Sequence, residues 1–393
     1  LIQVQNITVK GNLPNPFIMN DGTPVKTTAD WQLRRQEMYK TAVELQYGTM
    51  PPEPEFLEVE LLDDAAWIHN YRITTGRKDH PVSFIMRVLI PEGTGKFPAI
   101  VDGDLCWRYA FDKEYLQTVT GNGIAFVLFN RVELVPDRNV DRERGPLYQC
   151  YPEYTFSALG AWAWGYARCV DALEKLGYIN MDNIAFSGHS RGGKTALLAG
   201  VLDQRAAIVN TNESGAGGAG CYRLDMNAVD ENGNLCPNEK LADLLRNFPH
   251  WFNPEMAPYV GNEEELPFDE HFLKALVAPR ILVETEAASD IWANPVGSWQ
   301  TTTSPTCTNQ GFQERSCTIC AHKETQTVSP TGHTESGWKN DDTDHWKDCT
   351  VCSATLEATK TSHHYGSDDT CDTCGYVRSI QHTLGDNWWF DAT

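Results

Sequence analysis

Positive charge is scarce in this chain: 32 Lys and Arg stand against 53 Asp and Glu in 393 residues, a formal net charge of −21. Sequence-independent attraction to nucleic acid or to an anionic membrane needs clustered cations, so neither is expected as a partner, and uncharged substrates fit better. Long apolar runs are lacking too. Nowhere do about eighteen apolar residues follow one another, which excludes a helical membrane span. The chain opens at Leu1 with neither a basic nor an apolar leader, so an export signal is expected to have been removed or never included. Cysteine is thin over the first three-quarters (Cys106, Cys150, Cys169, Cys221, Cys236) and then crowds, with seven between Cys307 and Cys374. What remains, 41% hydrophobic and 10% aromatic residues, is the composition of a globular protein able to bury a sizeable core.

Residues 1–299 read as one α/β unit, because short apolar runs alternate with helical patterns. Strands are predicted at 83–89, 99–101, 125–128, 184–186, 207–209 and 281–283, and helices at 30–46, 156–176, 194–202, 239–246 and 270–277. Strand followed by helix, repeated, favours a mostly parallel sheet covered on both faces. The Trp-rich run ALGAWAWGY at 158–166 falls in the longest helix, where its spacing suits sheet packing. Near residue 300 the character changes: TTTSPT is linker-like, and residues 300–393 are polar, poor in aliphatics and expected to hold little secondary structure. This tail repeats itself, with C-x-x-C at Cys317/Cys320, Cys349/Cys352 and Cys371/Cys374, and with HTESGWKNDDT from His333 echoed by HTLGDNWWFDAT from His382. Units this small need metal, disulfides or stacking to hold a shape.

The sharpest chemical signal is Gly188-His189-Ser190-Arg191-Gly192, a G-x-S-x-G between a predicted strand and a predicted helix. A strand that turns into a helix within one or two residues strains the backbone at the serine, and glycines on either side remove side chains that would clash. Ser190 then presents its hydroxyl at a helix N-terminus, where amide groups stabilise an oxyanion. A nucleophilic serine needs a histidine base and an acid to orient it. Two acids are placed for that role, Glu213 after the strand at 207–209 and Asp290 after the strand at 281–283.

Residues from about Leu13 to Trp299 resemble the glucuronoyl esterases, carbohydrate esterase family 15. The resemblance is carried by NLPNPFIMNDGTPV at 12–25, ALGAWAWG at 158–165, GHSRGGKTALLAG at 188–200, NESGAGGAGCYR at 212–223, NFPHWF at 247–252, LPFDEH at 266–271 and DIWANP at 290–295. It implies an α/β-hydrolase three-layer sandwich and a serine esterase, without a catalytic cofactor, that cleaves the ester between 4-O-methyl-glucuronic acid of glucuronoxylan and lignin alcohols. By position it makes Ser190 the nucleophile, Glu213 the triad acid with Asp290 as its alternative, and Arg191 an oxyanion-stabilising arginine. It also makes Lys194 a ligand of the sugar hydroxyls, and places Trp292 and Trp251 as aromatic residues at the sugar site.

The same resemblance implies a base histidine on a loop after the last strand, a region occupied here by the Cys-rich repeats. His382 is the candidate it leaves, although the repeat aligns His382 with His333. Without a base the alternative is an inactive or truncated, esterase-like carbohydrate-binding protein with an interaction tail. The tail resembles Cys-rich repeats of secreted bacterial surface proteins, which implies a secreted or cell-surface location and an unknown tail partner. Its cysteines Cys317, Cys320, Cys349, Cys352, Cys371 and Cys374 have zinc-knuckle spacing, and disulfides are the rival reading.

Overall fold

The computed structural model describes residues 3–65, 67–139, 142–229, 235–286, 300–316 and 323–379. The chain divides into two compact units, the first running to about residue 297. In the first unit the strands are β1 (Gln3–Val9), β2 (Phe56–Ala65), β3 (Ile68–Gly76), β4 (Pro81–Leu89), β5 (Phe97–Asp102), β6 (Ala125–Phe129), β7 (Ile179–His189), β8 (Ile208–Asn212), β9 (Leu224–Val229), β10 (Leu235–Pro237) and β11 (Ile281–Thr285). Eight of them form one sheet in the order β11-β8-β7-β5-β6-β4-β3-β2, and β1, β9 and β10 form a small antiparallel one. From β6 through β5, β7 and β8 to β11 the pairing is parallel, whereas β4, β3 and β2 continue it antiparallel. The β2–β3 hairpin escaped the sequence analysis. Its charged, exposed strand β2 lies at the sheet edge, where one-sided burial leaves a weak apolar signal.

Alternation along the parallel strands sorts the two faces. Ala99, Val101, Ile184, Phe186 and Val209 are at most 2% exposed on the face beneath the helices Ala158–Leu176 and Arg191–Leu202. Ser157 caps the first of these helices through the Gly160 amide, and Gly177 ends it in a left-handed turn. Its tryptophans are core residues, with Trp162 donating its ring N–H to the Val135 carbonyl at 2.8 Å and Trp164 to that of Pro52 at 3.2 Å. On the other face the helix Lys113–Gly121 covers only the β4–β6 side, through Leu116 on Phe126 and Leu128. Ile100, Ala185 and Ile208 remain half-buried there, and edge strand β11 shows Ile281 58% and Val283 38% exposed. Among the described residues the third layer of the expected sandwich is therefore partial, because the chain beyond β11 departs into a different kind of sequence.

The second unit holds two three-stranded antiparallel sheets, β12 (Gln300–Thr303), β13 (Gly311–Ser316) and β14 (Lys323–Val328), then β15 (Glu335–Asn340), β16 (Asp344–Cys349) and β17 (Thr361–Ser362). It is thus richer in strands than its polar composition suggests, since Thr and Trp suit half-exposed strands. No helix among the described residues is long and apolar enough to cross a membrane.

Candidate active site

Strand β7 ends at His189, and the helix Arg191–Leu202 begins two residues later, leaving Ser190 at φ 57° and ψ −119°. A positive φ at a non-glycine residue is strained, and the surroundings hold it in place. The Ser190 amide donates to the Asn212 carbonyl at the end of β8 at 2.9 Å, and the His189 amide donates to Asp104 Oδ2 at 2.9 Å. Asp104 is fully buried in an ion pair with Arg131, also fully buried. A Cβ on Gly192 would collide with the Asp104 carboxylate, and one on Gly188 with the backbone of Gly192. Both glycines of the motif are therefore required by close approach. Ser190 makes no side-chain cap to its helix, so its hydroxyl stays available beside first-turn amides that have no intrahelical acceptor.

Arg191 sits in an aromatic cage, its guanidinium 4.7 Å from the Trp251 ring centre, 5.1 Å from Phe248 and 5.4 Å from Trp107. Phe248 and Trp251 are themselves stacked at 3.9 Å. Cation–π contact fixes the plane of the cation, and Asp137 fixes its direction through a 2.7 Å bond from Arg191 to Oδ2. The other oxygen of Asp137 accepts from the Trp251 ring N–H at 2.9 Å and lies 3.1 Å from His250 Nε2. Burial works against this carboxylate, but the bonds from His250, Trp251 and Arg191 outweigh it and hold Asp137 well below the usual carboxylate range. Trp251 corrects an expectation. At 2% exposure it offers a sugar no stacking face, and it instead positions Asp137 and Arg191.

Glu213 follows directly on Asn212, whose carbonyl takes the Ser190 amide, so it stands at the rim beside the nucleophile. It too has a positive φ, 49°, and its amide donates to the Thr285 carbonyl at the end of β11 at 2.8 Å. Next along β11's exit is Glu286. Burial first, then repulsion from Glu213 and Glu284, push its carboxyl up to about 8, so near neutral pH it is largely protonated. Lys194, one turn into the elbow helix and 3% exposed, donates to the carbonyls of Ser214 at 2.5 Å and Ala216 at 2.6 Å and to Glu239 at 2.9 Å. Two ammonium protons thus bind the loop after β8 and the third binds Glu239 beyond β10, so a sugar hydroxyl would have to displace one of these acceptors. A cavity of about 550 Å³ borders the elbow on the less covered face, between Asp102, Tyr109, His189, Asn212 and Thr285.

Asp290, Trp292 and His382 lie outside the described residues, as do Cys317 and Cys320. Among the described histidines, His189 sits 3.0 Å from Asn212 Nδ2, His250 pairs with Asp137, and His271 donates to the Pro14 carbonyl at 2.7 Å. No described side chain hydrogen-bonds Ser190 Oγ. In the tail, Cys349 and Cys352 gather with Cys307 and His333, and Cys371 and Cys374 with His345 and His363. The two described C-x-x-C pairs therefore do not join each other in one four-cysteine group. Asp104, Asp137 and Glu286 were missed from sequence. Each follows the carboxyl end of a parallel strand, where open α/β sheets place their ligand-handling groups, and that rule was the available signal.

Residues 73–310 match the family model described as glucuronyl esterase, fungi. A 4-O-methyl-glucuronoyl methylesterase 1 of Phanerochaete chrysosporium is 34% identical over 73% of this chain, and that of Wolfiporia cocos is 32% identical over 73%. The chain spans 59% of the first relative's length and 69% of the second's. Among solved structures, a family 15 glucuronoyl esterase from Caldicellulosiruptor kristjansonii superposes with a TM-score of 0.63 at 28% identity, over 73% of this chain and 77% of that one. A glucuronoyl esterase variant from Sporotrichum thermophile, in complex with methyl 4-O-methyl-β-D-glucopyranuronate, gives 0.59 at 28% identity, over 74% and 75% of the two chains. With the serine elbow, the caged arginine and the acid at the end of β8 in place, the chain belongs to the glucuronoyl esterase family.

Proposed function

We propose that the chain is a serine esterase that hydrolyses the ester between glucuronic acid, with or without its 4-O-methyl group, of glucuronoxylan and lignin alcohols. The observation that carries the reading is the strained Ser190, held between the Asn212 carbonyl and a helix N-terminus, next to an arginine caged by three aromatic rings. Ser190 Oγ attacks the uronate carbonyl as a histidine takes its proton. The tetrahedral oxyanion is stabilised by elbow amides and by the Arg191 guanidinium. Collapse expels the alcohol, which receives the proton, and water then releases the glucuronate and restores the serine. Glu213 orients the base, with Asp290 as the alternative acid. The ester carries no charge at its reacting group, whereas the product acid is an anion, so a chain of net charge −21 favours its departure.

His382 is the proposed base. The complex in which a family member holds methyl 4-O-methyl-β-D-glucopyranuronate supports the substrate class. Secretion is part of the same proposal, because the polymer lies outside cells. Hydrolysis of benzyl glucuronate by the whole chain, Ser190→Ala and His382→Ala tests it. Loss of turnover in both folded variants completes the triad with His382. Activity surviving only the histidine change moves the base elsewhere, and a folded but inactive chain rejects the esterase reading.

A further inference from the structure

Among its described residues the tail unit buries almost nothing apolar. Of these residues the buried ones are Cys307, Gly311, His345, Cys349 and Cys371, while Val351 is 70%, Val377 62% and Phe312 41% exposed. Where the described interior is thiol and imidazole in place of a hydrophobic core, the order of these strands and turns must come from what those groups bind. They fall into two sets of four, Cys307, His333, Cys349 and Cys352, and His345, His363, Cys371 and Cys374, with the ligating atoms of each set within 4.8 Å of one another.

The separations inside each set are those of a metal tetrahedron. Zinc bonds of about 2.3 Å to sulfur and about 2.0 Å to nitrogen place ligand atoms roughly 3.3–3.8 Å apart along the edges. Cys307 and Cys349 Sγ are 3.7 Å apart, and Cys352 Sγ is 3.5 Å from His333 Nδ1. In the second set, His345 Nδ1 is 3.5 Å from His363 Nδ1 and 3.7 Å from Cys371 Sγ, and His363 Nδ1 is 3.5 Å from Cys374 Sγ. A disulfide needs its sulfurs at about 2.05 Å, well inside the Cys307–Cys349 separation.

Two independent features agree. The first is the far side of the rings: His363 Nε2 donates to the Asp341 carbonyl at 2.8 Å, and His345 Nε2 bonds the Thr361 hydroxyl at 3.1 Å. A carbonyl acceptor requires the proton on Nε2, which leaves Nδ1 of neutral His363 as a lone pair facing the cluster, the arrangement that orients metal-bound histidine. The second is that both C-x-x-C turns have the same backbone. The Cys349 amide donates to the Ala354 carbonyl and the Ser353 amide back to Cys349, just as Cys371 donates to Tyr376 and Gly375 back to Cys371, at 2.7–2.9 Å throughout. The residue after the second cysteine is left-handed in each, Ser353 at φ 61° and Gly375 at φ 74°. A serine takes that conformation only when its turn is held.

We propose that the tail is a two-zinc module, with a Cys3His site at Cys307, His333, Cys349 and Cys352 and a Cys2His2 site at His345, His363, Cys371 and Cys374. The sites interlock. Strand β16 sends His345 to one and Cys349, four residues on and so on the same face, to the other, so both sites staple a single strand. Thiolate and imidazole in a tetrahedral set select zinc(II) over the hard, oxygen-seeking cations.

The test is zinc content of the purified full chain, measured by elemental mass spectrometry beside intact mass under non-reducing conditions. Two zinc ions per chain are expected, with Cys349→Ser and Cys371→Ser each losing one, and with His333→Cys, which keeps four ligands, retaining both. Cys106→Ser, a described cysteine outside both sets, should also retain both. Zinc-free protein whose mass shows these cysteines paired overturns the module. Unchanged content in Cys349→Ser or Cys371→Ser overturns the site that cysteine belongs to, and loss of an ion in Cys106→Ser overturns the assignment of the ligands.

Discussion

Asp137 is the residue through which the arginine of the site is aimed, and Asp137→Asn isolates that role. The substitution keeps shape and an acceptor for Trp251 and His250 but removes the charge facing Arg191. At a charge separation of about 4 Å and an effective dielectric constant near 20 the pair is worth about 4 kcal/mol in Coulomb terms. Side-chain exposures of 23% and 16% leave room for screening and desolvation, so a net loss of about 1–2 kcal/mol is expected. Arg191 stays in its cage of Trp107, Phe248 and Trp251 but loses its direction. Removing an oxyanion donor outright costs about 10²–10³ in kcat, so Arg191→Ala should fall in that range and Asp137→Asn about tenfold, with KM little changed. The assay is benzyl glucuronate hydrolysis by both single variants and the double variant. Because the Asp137 carboxyl is held below the usual range, its stabilisation is fully present above about pH 4 and lost only in more acidic solution, so the tenfold deficit should be flat from about pH 5 to 8. A double variant no slower than Arg191→Ala confirms that Asp137 acts through the arginine. Additive losses, or wild-type kcat in Asp137→Asn, refute the reasoning.

Lys194→Met leaves Glu239 and two carbonyls without their buried cation, and should cost about 3–5 kcal/mol in urea unfolding; unchanged stability with a raised KM would instead make Lys194 a sugar ligand. Glu286 has its folded value raised to about 8, so the folded state holds a proton that the unfolded chain releases, and stability falls as pH rises between about 4.5 and 8. Glu286→Gln should therefore melt a few degrees higher than the parent at about pH 8 and equally at about pH 4, and a gain confined to acid would contradict the assigned burial.

Local chemistry was legible in the chain. The elbow is a five-residue pattern between a strand and a helix, and its backbone strain at Ser190 follows from spacing alone. Glu213 could be placed because it directly follows a strand end, and the C-x-x-C turns because two cysteines in one turn need nothing distant to face the same way. The parallel order of the central strands followed from the alternation of apolar runs with helices, whereas the hairpin at the sheet's edge left too weak an apolar pattern to read. Only the tertiary structure decided the rest. Asp137 lies 54 positions from Arg191, and Asp104 lies 85 from His189, and these pairs meet because parallel strands deliver their carboxyl ends to one rim. The same holds in the tail: which histidines join which cysteines depends on how β15, β16 and the loops after them fold back. Spacing along a chain sets what a turn can do, and strand order sets which turns meet.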